Sequence, residues 1–348
     1  MIVPIVFLII CILGYYFSGL ALNFIMVEMF FRLSRNLLLV ASLIIPVITG
    51  MGLNFGIVIG AMAGQIGLFI IANFEIGGMT GILVAMLASV PFAVVFGYLV
   101  GQVLNRAKGK EMITSMILGF FANGIYQLVF IVMAGSIIPF SNDKLLMDSG
   151  VGLKNTIDLY PIRKAFDTWL FKDIVNFPVM PILFSALIFL LINRFFKTKL
   201  GQEMRAVGQD MHIAEVQGID VDKTRLKAII ISTVLAAWGQ IVYLQNLGTL
   251  NTYTNHEQVG LFAVAALLIG GASVERATWK EALLGTFLFH LLFIVSPLAG
   301  QKLMGDAQIG EYFRVFVAYG VIGLSLILHA MEKRKKVEDS LRVTVKDE

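Results

Sequence analysis

Charged side chains are scarce in this chain: Asp, Glu, Lys and Arg make up 14% of its 348 residues, against 58% hydrophobic. Ordinary soluble domains carry about a quarter charged residues, so an ordinary soluble fold is excluded. No residue of these four types occurs in 36–74, 76–105, 112–142, 174–193, 228–256, 282–301 or 315–331. About 20 apolar residues at ~1.5 Å rise cross the hydrocarbon core as a helix, and most of these runs are long enough. Cysteine is nearly absent too. Cys11 stands alone, so no intrachain disulfide framework exists. The four histidines, His212, His256, His290 and His329, lack metal-ligand spacing, so no metal site is expected. No clustered His/Asp/Glu set with a nearby nucleophile points to a membrane-embedded enzyme. No Gly-x-x-x-x-Gly-Lys-Ser/Thr occurs; the nearest fragment, Gly109-Lys110, runs into Glu111.

The formal charge of +4 and pI near 9.0 do not indicate nucleic acid, because the basic residues sit in short runs between apolar segments. Such runs are topology signals. Arg106, Lys108 and Lys110, then Arg194, Lys197, Lys199 and Arg205, then 333–336 mark three cytoplasmic regions. Residues 135–176 balance five basic against five acidic residues and carry Tyr160, Phe166 and Trp169, as expected of a long external loop with room for a surface helix. The opening 1–23 has no Lys or Arg before its apolar run and no small-residue cleavage site, so it is read as a retained membrane helix.

These signals predict an all-α, polytopic transmembrane helical bundle of about 8–10 membrane segments. Spans are expected near 79–104, 112–134, 177–194, 227–247, 258–273, 281–299 and 312–331. The domain plan is a transmembrane domain over 1–332, with an external loop at 135–176 and a cytoplasmic loop at 195–226, then a basic cytoplasmic tail at 333–348. The run 36–74 is about twice the hydrocarbon thickness as one helix, ~58 Å. Pro46 and the stretch Thr49-Gly50-Met51-Gly52-Leu53-Asn54-Phe55-Gly56 predict a broken helix there. A polar stretch at 248–258 occupies a comparable place in the second half. Paired interruptions point to an inverted repeat around a pathway; a single kink plus an ordinary external loop is the alternative.

Within the cytoplasmic loop, Met204, Val207, Met211 and Ala214 fall at helical spacing on one face, with Gly208 mid-helix and Gly218 placed to stop it. One short amphipathic helix is expected, offering apolar knobs to a groove on a partner. The pattern Gly-x-x-x-Arg-Ala-x-Gly, then Ala-x-x-x-Gly-Ile-x-Val-x-Lys, over 201–223 resembles the coupling loop of bacterial ABC importer permeases for ribose-type sugars, nucleosides and branched-chain amino acids. Downstream, Phe262-Ala263-Val264-Ala265-Ala266-Leu267-Leu268-Ile269-Gly270-Gly271-Ala272-Ser273 is similar to that family's Gly-Gly-Thr/Ala-Ser segment. Upstream, Gly52-Leu53-Asn54-Phe55-Gly56 with Gly64-Gln65 resembles its Asn-x-Gly element.

The resemblance implies a multi-pass subunit of the bacterial inner membrane. Its implied partners are cytosolic ABC ATPase subunits that hold ATP and Mg, a second permease subunit, identical or paralogous, an extracytoplasmic solute-binding protein, and membrane lipid. The chain itself then needs no cofactor. Glu203, Met204, Arg205, Ala206, Val207, Gly208, Met211, Ala214 and Gly218 become the ATPase-facing residues.

For the solute route, the candidates are polar or aromatic residues at membrane depth: Asn54, Phe55, Gln65, Asn123, Gln127, Trp238, Gln240, Gln245 and Asn246. A buried amide without a partner costs a few kcal/mol, so each amide faces either a wet pathway or a neighbouring helix. Phe55 and Trp238 either stack on a sugar or base or pack within the bundle. Glu257 either marks a helix start, where its charge suits the dipole, or couples protons. Scarce charge in the spans favours a neutral polar solute, a simple sugar first and a nucleoside next, with a branched-chain amino acid or an ion-coupled carrier as alternatives. Gly64 with Gly67, and Gly97 with Gly101, read as sites of close helix contact.

Overall fold

The computed structural model describes residues 2–167 and 178–344; the expected Trp169 and the end of the 135–176 loop lie outside them. Helices dominate: α1 (Ile2–Ser18), α2 (Leu22–Ser42), α3 (Ile44–Ile48), α4 (Ile57–Asn73), α5 (Gly78–Arg106), α6 (Glu111–Leu128), α7 (Val179–Phe195), α8 (Lys199–Gln209), α9 (Met211–Val216), α10 (Val221–Leu247), α11 (Glu257–Ile269), α12 (Trp279–Met304) and α13 (Ala307–Thr344). Among the described residues, five helical stretches are long and apolar enough to cross a membrane: Leu22–Ile48, Gly78–Arg106, Glu111–Met133, Val221–Leu247 and Trp279–Met304. The pair α7 and α8, bent by 77°, passes the same test together, and α1, α4 and α11 are shorter apolar helices. The chain is an all-α multi-pass membrane protein. The basic 333–336 run continues α13 without a break.

By packing, the chain forms two units, 1–20 with 265–348, and 21–264. In the first, α1 lies along α12 and α12 along α13, with the Cys11 thiol 3.5 Å from the Leu288 carbonyl. In the second, α10 is the central post, flanked by α2, α3, α4 and α5. Small residues set that approach. A Cβ on Gly97 would lie 2.9 Å from Ile230 Cα, and one on Gly101 would lie 2.5 Å from Leu226 Cδ1. Gly64 meets the Ala237 carbonyl and Gly67 that of Ala85. Without a hydrophobic driving force between helices in lipid, such contacts supply the van der Waals energy of association.

The first expected break is present. α3 ends at Ile48 and α4 starts at Ile57, with Gly50 and Gly52 at positive φ, where side-chain-bearing residues are strained. The freed backbone groups find partners: Gly56 N donates to Asn54 Oδ1 (2.9 Å), Phe55 N to Ser115 Oγ (3.1 Å), and Thr49 Oγ1 to the Ile45 carbonyl (2.7 Å). Irregular backbone at membrane depth requires this accounting. The second interruption differs in kind. Gly248, left-handed at φ +77, caps α10, and β2 (Thr249–Asn251) then pairs antiparallel with β1 (Thr156–Asp158). Thr252 Oγ1 and Tyr253 OH add bonds to the Lys154 and Leu153 carbonyls, both 2.7 Å. The 134–167 segment is therefore stitched to 248–253 and holds 3-10 turns and β1; a surface helix in the remainder of the 135–176 loop falls outside the described residues.

Candidate functional site

Four of the sequence-predicted solute-route residues converge. The His256 ring, fully buried, lies between two amide oxygens, with Nδ1 2.9 Å from Gln65 Oε1 and Nε2 2.8 Å from Asn123 Oδ1. Tyr126 OH donates to Gln65 Oε1 (2.7 Å), Gln127 Nε2 to Asn123 Oδ1 (3.3 Å), and Asn123 Nδ2 to Glu257 Oε1 (2.8 Å). Gln240 Nε2 donates to the Asn255 carbonyl, next along the chain from His256 (3.3 Å). Thus α4, α6, α10 and the entry to α11 meet on polar groups inside apolar helices.

A neutral imidazole carries one N–H, so the two amide oxygens beside the His256 ring cannot both be served by it. Turning the Gln65 amide satisfies the ring, but it leaves Oε1 open instead of Nε2, which has no hydrogen-bond partner as placed. Gln240 Oε1 is likewise buried without a partner. An open buried polar atom costs about 1–3 kcal/mol. As placed, the cluster thus holds one open donor and one open acceptor, both buried. Glu257, exposed at the first turn of α11, sits where its charge complements the helix dipole. Sequence reasoning missed Tyr126, although its place between Asn123 and Gln127 on one helix was a usable signal.

The remaining candidates sit elsewhere. Gln245 Nε2 and Asn246 Nδ2 donate to the two oxygens of Asp167, at 2.7 and 2.6 Å, and Arg35 Nη1 donates to Asn246 Oδ1 at 3.3 Å. These two amides hold the 134–167 segment onto α10 and are not part of the His256 cluster. Burial pushes the Asp167 carboxyl above the usual carboxylate range, against the pull of the two amide bonds. Asn54 and Phe55 lie at the break, where the Asn54 side chain serves Gly56 N–H. Trp238 Nε1 donates to the Met86 carbonyl (3.2 Å), and its ring lies 6.4 Å from that of Phe184.

The 199–218 segment is two helices where one was expected. Asp210 is extended, ends α8, and caps α9 by accepting from His212 N and Ile213 N at 2.8 and 2.9 Å. An aspartate competes with the backbone for N–H groups, which is why it breaks a helix that apolar spacing alone would carry through. The apolar face also points the other way. Met204, Val207 and Ala214 are buried inside the chain, with Val207 and Ala214 clustered on Val221, Ala206, Met211 and Ile219. They are not free to enter a partner's groove. The exposed apolar residues are Ile213 (56%) and Val216 (76%), with Arg205 also outward, its guanidinium 5.3 Å from the Phe196 ring centre. Glu203 and Gly208 are half-buried and Gly218 is exposed. Gly208 meets the other predicted feature directly: a Cβ on Gly50 would lie 2.9 Å from Gly208 Cα, and Gly208 itself abuts the Ile48 carbonyl. The α8 backbone therefore rests on the break before Asn54 and Phe55.

Comparison with known proteins agrees with this architecture. Residues 25–328 match the family described as branched-chain amino acid transport system, permease component. The fructose import permease protein FruG of Bifidobacterium longum is 26% identical, covering 78% of this chain and 74% of that protein. The nucleoside ABC transporter permease protein NupB of Lactococcus lactis subsp. cremoris is 24% identical over 75% of this chain and 70% of its own. The xylose transport system permease protein XylH of Haemophilus influenzae is 27% identical over 46% of this chain, and the match spans 40% of its length. No solved structure matches significantly. The family match takes in the break, the polar cluster and the α8–α9 segment alike, and the chain belongs to the permease-component family of branched-chain amino acid transport systems.

Proposed function

We propose that this chain is the membrane-spanning permease subunit of an ATP-binding cassette importer that moves a small neutral polar solute, a simple sugar first and a nucleoside second, across the bacterial inner membrane. In this reading α8 and α9 face the cytosol and meet an ATPase subunit that binds ATP and Mg. The 134–167 segment faces outward towards a solute-binding protein, and a second permease subunit completes the pathway. The observation that carries the reading is the contact of Gly208 with the Ile48–Gly50 turn, which joins the partner-facing segment to the broken helix. The relatives' names support sugars and nucleosides over charged solutes. The His256 cluster, with its open Gln65 and Gln240 atoms, suits hydroxyl groups that both donate and accept.

The test is purification by gentle extraction from the source membrane. A cytosolic ATPase should accompany the chain, and the chain stripped of it should hydrolyse no ATP. A rival reading, an ion-coupled carrier, draws on Glu257 bonded to Asn123 beside His256. Uptake of xylose, fructose or uridine by vesicles holding this chain alone, abolished by a protonophore, would establish the rival.

A further inference from the structure

Arg225, in the first turns of α10, is fully buried and makes contacts that no solute or nucleotide role explains. Its Nη2 lies 2.7 Å from Glu111 Oε1 at the start of α6 and 3.4 Å from the Leu104 carbonyl near the end of α5. Its Nε donates to Asn105 Oδ1 (3.0 Å), and its Nη1 reaches Met211 Sδ (3.2 Å), the first residue of α9. Asn105 Nδ2 in turn donates to the Asp222 carbonyl (2.8 Å), and Lys108 pairs with the Asp222 carboxylate (2.6 Å). One planar fork thus touches α5, α6 and α9 from α10. Guanidinium is the group that can do this, since its five N–H donors are held rigidly and it cannot lose its charge.

We propose that Arg225 is the positioning residue that locks α9 to the inner ends of α5 and α6, so that movement of the coupling segment is delivered to those two helices. The inference rests on the ATPase-driven reading of α8 and α9. Asp210, extended between the two helices, makes α8 and α9 separately oriented pieces. α8 abuts the Ile48–Gly50 turn through Gly208, while α9 is held to α5 and α6 through Arg225. One segment therefore has two attachments to different helices. A rotation of α8 against α9 moves the break relative to α5 and α6, which is the differential displacement that alternating access requires. Sequence reasoning passed over Arg225 because an Arg between Lys223 and Lys227 at a loop edge reads as a topology signal.

The experiment uses the complex of this chain with its ATPase, in a Cys11→Ala background, with spin labels at the exposed positions Lys110, Lys144 and Gln217 changed to Cys in pairs. Distances are measured without nucleotide and after trapping with ATP and vanadate. In the otherwise unmodified chain the 110–217 distance should stay fixed while the 144–217 distance shifts. In R225M the 110–217 distance should shift by several ångströms on trapping, because α9 now moves without α6. R225K keeps the charge beside Glu111 but cannot also span Asn105 and Leu104, and should shift less. E111Q should behave like R225K, and these two decide the matter if R225M fails to fold. A 110–217 distance that stays fixed in every variant that folds, or one that already shifts in the unmodified chain, overturns the role of Arg225. A 144–217 distance that ignores nucleotide throughout overturns the ATPase-driven reading itself.

Discussion

Individual atoms set the sharpest limits on this protein. At Gly208 any side chain would press on the Ile48 carbonyl, whereas at Gly218 a Cβ meets nothing within 4 Å and only the positive φ of +82 resists it. Gly208→Ala is therefore expected to destabilise by about 1–3 kcal/mol through overpacking, and to impair ATP-driven uptake. Gly218→Ala is expected to cost about 1–2 kcal/mol from the left-handed backbone alone, with uptake retained. Thermal unfolding in detergent and uptake by the assembled complex check both. Asp167 gives a pH signature. Its carboxyl is raised by burial, so the folded chain binds this proton more tightly than the unfolded chain does. The contribution to stability is thus full at low pH and falls as pH rises through the raised range. Asp167→Asn, which cannot titrate, should gain in melting temperature relative to the unmodified chain between about pH 4 and neutrality. A difference independent of pH over that window would refute the assignment. Legibility at this scale was uneven. Gln65, Asn123 and Gln127 stood out as amides in apolar runs, but Gln245 meets Asp167 across 78 residues and Arg225 meets Glu111 across 114, pairings that no local pattern encodes.

Elements were more legible where they obey the bilayer and less where side chains compete with the backbone. Charge-free runs located α5, α6, α10 and α12 because length and hydropathy are one-dimensional properties. The break at 49–56 could be read from Gly50, Gly52 and Pro46. The split of α8 from α9 could not be read, since Asp210 serves equally as an exposed helical residue and as a cap. The burial of the apolar face reverses the expectation for substitutions. Met204→Asp should prevent accumulation of folded protein, because an unpaired carboxylate would be buried at a cost of several kcal/mol. Val216→Asp, on the exposed face of α9, should leave melting unchanged while reducing co-purified ATPase about tenfold or more. Equal behaviour of the two variants would contradict the burial of Met204. In the polar cluster Gln240→Leu removes the open Oε1, and loss of about 1–1.5 kcal/mol of solute binding would raise KM about five- to tenfold. A fall in melting temperature with KM unchanged would reduce the cluster to interhelical glue.

At the scale of the whole molecule, the orientation of α10 decides which end meets which partner. α10 rises from the Arg225 joint, past the glycine contacts with α4 and α5, to the clamp of Gln245 and Asn246 on Asp167. The α8–α9 segment lies at one end of that post and the 134–167 segment at the other. With an ATPase as the motor, the first end faces the ATP and the second faces the incoming solute in the proposed function. In cells expressing the chain without Cys11, a membrane-impermeant maleimide should label Lys144→Cys at once. It should spare Gln217→Cys until the membrane is opened. Prompt labelling of Gln217→Cys in intact cells, with Lys144→Cys protected, would contradict the account.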